Sequence, residues 1–234
     1  MKFNINKLFS ALIAILIPFI ILMGGVRLIM TPNFPAFEYK RSGFPSDPYG
    51  FDRVEREKWS AFAVKYLTND KGIEYLGNLQ NFSGKKIFRT EELDHMADVK
   101  RVVKVSLFIW YVAGGLVFGL SIWLLAQKKW HDFRLAYRSG AWLTLALMVA
   151  MIVYLMINFN QLFDKFHRIL FTEGSWLFFA DDTLIRLFPL VFWRDVFLLV
   201  GLFTLFVAIF LLLVTRRWRK KPKTDLELTP QSNG

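Results

Sequence analysis

The chain reads as a membrane all-α protein, with four transmembrane helices under a small extracytoplasmic cap formed by the 1-2 and 3-4 loops. Three observations predict this. The 234 residues are 54% hydrophobic and include 25 Phe and 8 Trp, too apolar for a soluble domain of that length. Four stretches nearly free of charge reach the roughly 20 residues that a bilayer core of about 30 Å asks of a helix. The cations cluster at the ends of those stretches rather than along the whole chain.

Residues 1–7 form a short N-terminus carrying Lys2 and Lys7, and the first span covers 8–30. Its apolar run exceeds the core of a signal peptide, so it is expected to stay as an anchor. Residues 31–104 form most of the cap. Thr31-Pro32-Asn33-Phe34-Pro35 breaks the first helix, and the Gly-, Pro- and Ser-rich stretch 42–50 reads as a loop. Asp52–Leu67 reads as a helix, because Trp59, Phe62, Ala63, Tyr66 and Leu67 fall on one face. Residues 72–89 leave room for a strand or two. Thr90 is the expected N-cap, with Glu91 and Glu92 at the positive end of the helix dipole. From there a helix runs through His95 into the second span, 105–127, where Gly115 and Gly119 predict close helix approach. A loop over 128–140 precedes the third span, 141–159. The aromatic-rich segment 160–195 is expected to dip into the interface and complete the site. The fourth span covers 196–214, and the basic tail 215–234 is expected to be disordered beyond Lys223.

Charge sets the orientation. The N-terminus, the link between spans two and three, and the C-terminal tail together hold twelve Lys and Arg against Asp132, Asp225 and Glu227, or +9 of the formal +11. This positive-inside bias predicts that both termini are cytoplasmic. The high pI therefore points to membrane lipids and not to nucleic acid. The absence of cysteine excludes disulfides, thiol catalysis and thiolate-bound metal.

Only three histidines occur. His131 sits among lysines of the cytoplasmic link and reads as solvated. His95 and His167 lie just outside spans running in opposite directions, which puts both at the outer face. On a helix, Asp98 and Glu91 neighbour His95, and such a carboxylate fixes an imidazole's tautomer and raises its basicity. Asp164 stands three residues before His167, with Phe163 and Phe166 making its surroundings apolar. The same histidines with Asp98, Asp164 or Glu92 are also a chemically possible zinc set. No His-x-x-x-His or His-Glu-x-x-His pair pre-assembles it, so neither a metal nor a cofactor is expected. Ser83, in Phe82-Ser83-Gly84, reads as a turn rather than a nucleophile. Arg53, Arg168, Arg186 and Lys100 are placed either to hold an ester oxygen or phosphate or to snorkel to headgroups.

These residues resemble those of the bacterial lipoprotein intramolecular transacylases. His95-Met96-Ala97-Asp98-Val99-Lys100 matches that family's His-Met-x-Asp-Val-Lys signature. Tyr49-Gly50-Phe51 with Arg53 is similar to its cap motif, and Phe163-Asp164-Lys165-Phe166-His167 to its second histidine motif. The similarity continues through Trp176-Leu177-Phe178 and 182–189 to Phe192-Trp193. The resemblance implies an enzyme of the bacterial cytoplasmic membrane acting on diacylglyceryl-modified lipoproteins. The free amine of the N-terminal cysteine attacks the sn-2 ester of its own lipid, giving the N-acyl lyso form without an acyl-enzyme. In that reading His95 is the base and His167 the acid, in either order. Asp98, Glu92 and Asp164 orient them, and Arg53 or Arg186 stabilises the oxyanion. Tyr49, Phe51, Phe163, Phe166, Trp176 and Phe178 wall the pocket. Two other readings remain open at this point: a metal-assisted membrane hydrolase of lipids or lipoproteins, and a non-catalytic membrane protein with a partner-binding cap.

Overall fold

A computed structural model describes residues 4–217, so the expectation for the tail beyond Lys223 lies outside the described residues. Four of the helices are long and apolar enough to cross a membrane: α1 (Ile5–Ile29), α5 (Thr90–Ala126), α6 (Trp130–Ile157) and α9 (Leu190–Arg217). The described residues form no extended strand; 72–89 folds instead into the single turn α4 (Glu74–Gly77) and one isolated antiparallel bridge, Gln80 to Lys86. Asn81 explains the outcome. Its side chain accepts from the backbone N–H of Ser83 and of Lys85 at 3.1 and 2.9 Å, and Gly84 takes φ 75°. That Asx-type turn uses up the donors a longer ladder would need.

Each long helix begins before one expected span; α9 contains 196–214 whole, while α1, α5 and α6 end at Ile29, Ala126 and Ile157, just short of the expected ends at 30, 127 and 159. α5 is 37 residues long, about 55 Å at 1.5 Å per residue, nearly twice a bilayer core. Its first four turns therefore stand clear of the hydrocarbon and carry Lys100, Arg101 and Lys104. The structure starts α5 at Thr90 itself, so Arg89 and not Thr90 precedes the helix; Glu92 caps it by accepting the Arg89 N–H at 2.8 Å.

In the bundle, α1 packs against α5, α6 and α9, and α9 against α6. A core of Ile13, Ile17, Ile21, Val117, Leu124 and Ala136 joins them. The Ser10 hydroxyl donates to the Asp132 carbonyl, which sets the start of α1 beside the start of α6. The expected close approach at Gly115 and Gly119 is absent, since no atom lies within 4 Å of a Cβ built there. It falls at Gly140, where a Cβ would meet Ile17 at 2.8 Å and the Ala14 carbonyl at 3.1 Å. Spacing alone marks small residues but not the face on which a neighbour sits. Gly140→Val is accordingly expected to lower bundle stability by about 1–3 kcal/mol through overpacking, read as a fall in unfolding temperature in detergent. Gly119→Ala should leave that temperature unchanged.

At the other end of the bundle, α2 (Asn33–Lys40), α3 (Arg53–Thr68), α4, α7 (Phe159–Leu170) and α8 (Thr183–Leu187) gather into the cap. α3 starts where Asp52 accepts the Glu55 N–H at 2.7 Å, a capping box worth about 1 kcal/mol. Its Trp59, Ala63 and Tyr66 bury with Leu76, Phe88, Met96 and Leu187 in a second core. Polar ties hold the cap in place. Tyr39 donates to the Leu187 carbonyl at 2.8 Å, Arg41 pairs with Asp195 at the head of α9, and Glu92 accepts the Leu184 N–H at 2.6 Å. Lys100 lies over the Tyr66 ring at 4.0 Å and donates to Asn69 and to the Lys71 carbonyl, locking the end of α3 to α5.

Candidate active site

His95 comes from the protruding turns of α5 and His167 from α7. The stub of α5 and the helix that follows α6 meet where cap joins bundle, and this brings two residues 72 positions apart to a ring-centroid distance of 6.2 Å, nearly parallel at 26°. Both are buried, at 9% and 8% exposure. Phe163 lies 4.2 Å and Phe166 5.5 Å from the His167 ring, Trp176 5.8 Å from it, and Phe178 5.4 Å from the His95 ring. Phe171 touches both imidazoles, at 5.1 and 5.7 Å. Phe171 is the extended residue that ends α7, and its N–H donates to the His167 carbonyl at 2.8 Å; helical spacing alone does not mark it.

The other candidate residues are engaged elsewhere. Asp98 pairs with Arg101 at 3.3 Å and Asp164 with Arg168 at 2.8 Å, so neither carboxylate hydrogen-bonds an imidazole. Arg101 and Arg168 stand at helical spacing too, and a guanidinium outcompetes a buried ring for a carboxylate. Glu92, 1% exposed, spends its oxygens on the Arg89 and Leu184 N–H groups. Arg186 grips Asp47 at 2.8 Å and the Tyr49 carbonyl at 3.0 Å, with its guanidinium 3.6 Å from the Phe51 ring centre. Tyr49 and Phe51 thus belong to a cleft of the cap and not to the wall around the imidazoles. Arg53 is exposed and pairs with Glu57 at 3.6 Å.

The electrostatics follow from burial. Desolvation pushes His95 down to about 4, aided by the neighbouring His167 and opposed by the nearby charge of Asp98. His167 is also lowered, again mainly by burial. Loss of water disfavours the imidazolium, so both rings are neutral near pH 7. His167 Nδ1 lies 2.8 Å from the Phe163 carbonyl. A carbonyl only accepts, so Nδ1 carries the proton and Nε2 presents a lone pair. His95 Nδ1 is buried with no partner. Among the described residues, no group of three or more His, Asp or Glu is placed to hold a metal ion.

Two consequences for pH follow. The proton-accepting capacity of the site should persist below the ordinary imidazole value near 6.5, so the acid limb of kcat is expected to lie below that value. A break at 6.5 would mean that the rings are solvated. Because the folded-state values lie below the unfolded ones, these histidines contribute stability that is complete above about pH 6.5 and lost as pH falls through the folded value.

Four membrane-length helices and a cap that buries an imidazole pair in an aromatic cage define an integral membrane protein with a histidine-centred site at the base of its cap. Residues 11–193 match the family profile "Lipoprotein intramolecular transacylase Lit". A protein of Aquifex aeolicus described as uncharacterized is 31% identical over 207 residues, 88% of this chain and 93% of that one. The fold is similar to the in meso structure of the membrane integral lipoprotein intramolecular transacylase Lit from Bacillus cereus, with TM-score 0.76, 21% identity, and 91% and 95% of the two chains covered. Two histidine-substituted forms of that protein align at TM-score 0.70. The chain belongs to the lipoprotein intramolecular transacylase family and is an acyltransferase.

Proposed function

We propose that this protein moves the sn-2 acyl chain of a diacylglyceryl-modified lipoprotein onto the amine of its own N-terminal cysteine, with His167 and His95 as the proton-transfer pair. One observation carries the reading. Two neutral imidazoles face each other 6.2 Å apart inside aromatic walls; the chain has no cysteine, and no metal-ligand cluster competes with them among the described residues. A reaction whose donor and acceptor share one molecule needs proton transfer and positioning, not a protein nucleophile. The metal-assisted hydrolase and the non-catalytic partner-binding protein are not favoured.

The tautomer of His167 supports it as the base, the second of the two assignments left open by sequence. Its Nε2 takes a proton from the substrate ammonium, whose ordinary value is about 7.7–8.0. The amine nitrogen then attacks the ester carbonyl, forming the C–N bond as the carbonyl π pair moves to oxygen. Collapse breaks the C–O bond to the glyceryl oxygen. The second N–H proton passes to that leaving oxygen through His95, whose Nδ1 lacks a protein partner. Amide, alcohol and one proton result. The aromatic wall holds the lipid head near attack distance and excludes the water that would hydrolyse the ester.

Orientation belongs to the same proposal. The cap faces away from the cytoplasm, supported by the cations Lys7, Lys128, Lys129, Arg134, Arg138, Arg216 and Arg217 at the opposite helix ends. The test is a reconstituted reaction on a synthetic diacyl lipopeptide, read by tandem mass spectrometry. An acyl group on the N-terminal nitrogen, absent when that amine is blocked by acetylation, is the expected result. Free fatty acid as the product would overturn it.

A further inference from the structure

We infer that the cap carries a cationic cleft that receives the polypeptide of the substrate just after its lipidated cysteine and prefers acidic residues there; this deepens the proposed function and rests on it. The cleft, ≈ 290 Å³, is lined by Tyr49, Lys85, Lys86, Arg89, Asp181 and Arg186 among others. Its charge is unbalanced. Arg89 is neutralised by Asp181 and Asp182 at 3.0 and 2.7 Å, and Arg186 by Asp47. Lys85 and Lys86 have no ion-pair partner among the described residues, and both are exposed. The Lys86 ammonium donates to the Gly77 carbonyl, which fixes its position at the edge of α4. Four cations, Lys85, Lys86, Arg89 and Arg186, against three carboxylates, Asp47, Asp181 and Asp182, leave one positive charge in excess. With aromatic Tyr49 and Phe51 beside them they suit an extended acidic peptide, whose backbone packs on the rings while its carboxylates meet the unpaired lysines.

Two covalent rulers link this cleft to the imidazoles. Arg89, in the cleft, precedes His95 by six residues, so the helix rise between them is about 9 Å. Phe178 packs on the His95 ring while Asp181 and Thr183 line the cleft, and the loop from 178 to 183 spans at most about 18 Å. An extended peptide advances about 3.4 Å per residue. A chain whose first residue is held at the histidines therefore brings its fourth to sixth residues into the cleft that Lys85 and Lys86 line.

The experiment uses the full-length protein in nanodiscs and a series of diacylglyceryl lipopeptides with two Glu, two Ser or two Lys moved along the chain after the cysteine. The expected result is a KM roughly tenfold lower for the Glu than for the Lys peptide when the pair occupies positions four to six. The difference should shrink at 1 M salt and vanish when the pair sits at positions nine and ten. Lys85→Glu with Lys86→Glu should reverse the preference, and Lys85→Glu alone should weaken it. Equal KM for the Glu and Lys peptides, or a preference that survives the charge reversal, overturns the inference while leaving the transacylase reading intact. Absence of N-acylation on every peptide, Ser included, overturns both.

Discussion

His167→Ala is expected to lower the rate of acyl relocation by about 10²–10⁴-fold, the usual contribution of a positioned proton-transfer group. The ammonium of the substrate cannot attack an ester until it has lost a proton, and His167 is the ring whose Nε2 the Phe163 carbonyl leaves unprotonated. His95→Ala should cost a similar factor by denying the leaving oxygen its proton. The double variant is expected to be little worse than either single one, because groups that act as one relay lose most of their effect at the first break. His167→Asn separates proton transfer from packing: it keeps a polar side chain but no usable base, and should be as slow as alanine. Single-turnover rates on a synthetic lipopeptide check all four proteins, with unfolding temperatures confirming that each inserts and folds. Wild-type rates in either alanine variant would contradict the assignment.

The second large effect is predicted for Glu92. Its carboxylate is fully buried and holds two backbone donors, one opening α5 and one opening α8. Burial raises its pKa, so in place it serves as an acceptor and not as a surface charge. Glu92→Ala strands the buried Leu184 N–H and the half-buried Arg89 N–H, at about 1–3 kcal/mol for each. α8 follows the loop that carries Trp176 and Phe178, so the loss should also loosen the wall around the imidazoles and raise KM. Glu92→Gln retains one acceptor oxygen and should recover part of both losses. Unfolding temperature in detergent and KM for the lipopeptide provide the two readouts. An unchanged temperature in the alanine variant would show that the junction is held by packing alone.

The features that could be read in advance were those with a strong local signature. The four spans follow from hydrophobic runs that only a helix can carry across lipid, and α3 from the spacing of Trp59, Ala63 and Tyr66. The wall residues Phe163, Phe166 and Trp176 share a segment with His167, on which they pack; Phe178 lies in that segment too but packs on His95, a contact that sequence proximity does not encode. The Asp98 and Asp164 assignments illustrate the limit. Spacing places a carboxylate on the same helical face as a histidine, but Arg101 and Arg168 share those faces and the stronger donor takes the oxygen. Glu92 was legible as a helix-start residue. Its second bond, to an N–H 92 residues away, depends on tertiary packing that no local pattern encodes. Arg186, expected at the oxyanion, and Tyr49 and Phe51, expected in the pocket wall, come together instead around Asp47 in the cap, a residue that spacing gave no reason to single out.

The central claim is that one bound lipid head supplies both acyl donor and acceptor between the two imidazoles. The most direct measurement is a crossover experiment. Two lipopeptides of different peptide mass, one with perdeuterated and one with ordinary acyl chains, are mixed with the reconstituted protein and the products weighed. The account predicts that each N-acyl product keeps its own isotopic label at the unchanged total mass of its precursor. Products that pair one peptide with the other's acyl chain would contradict it.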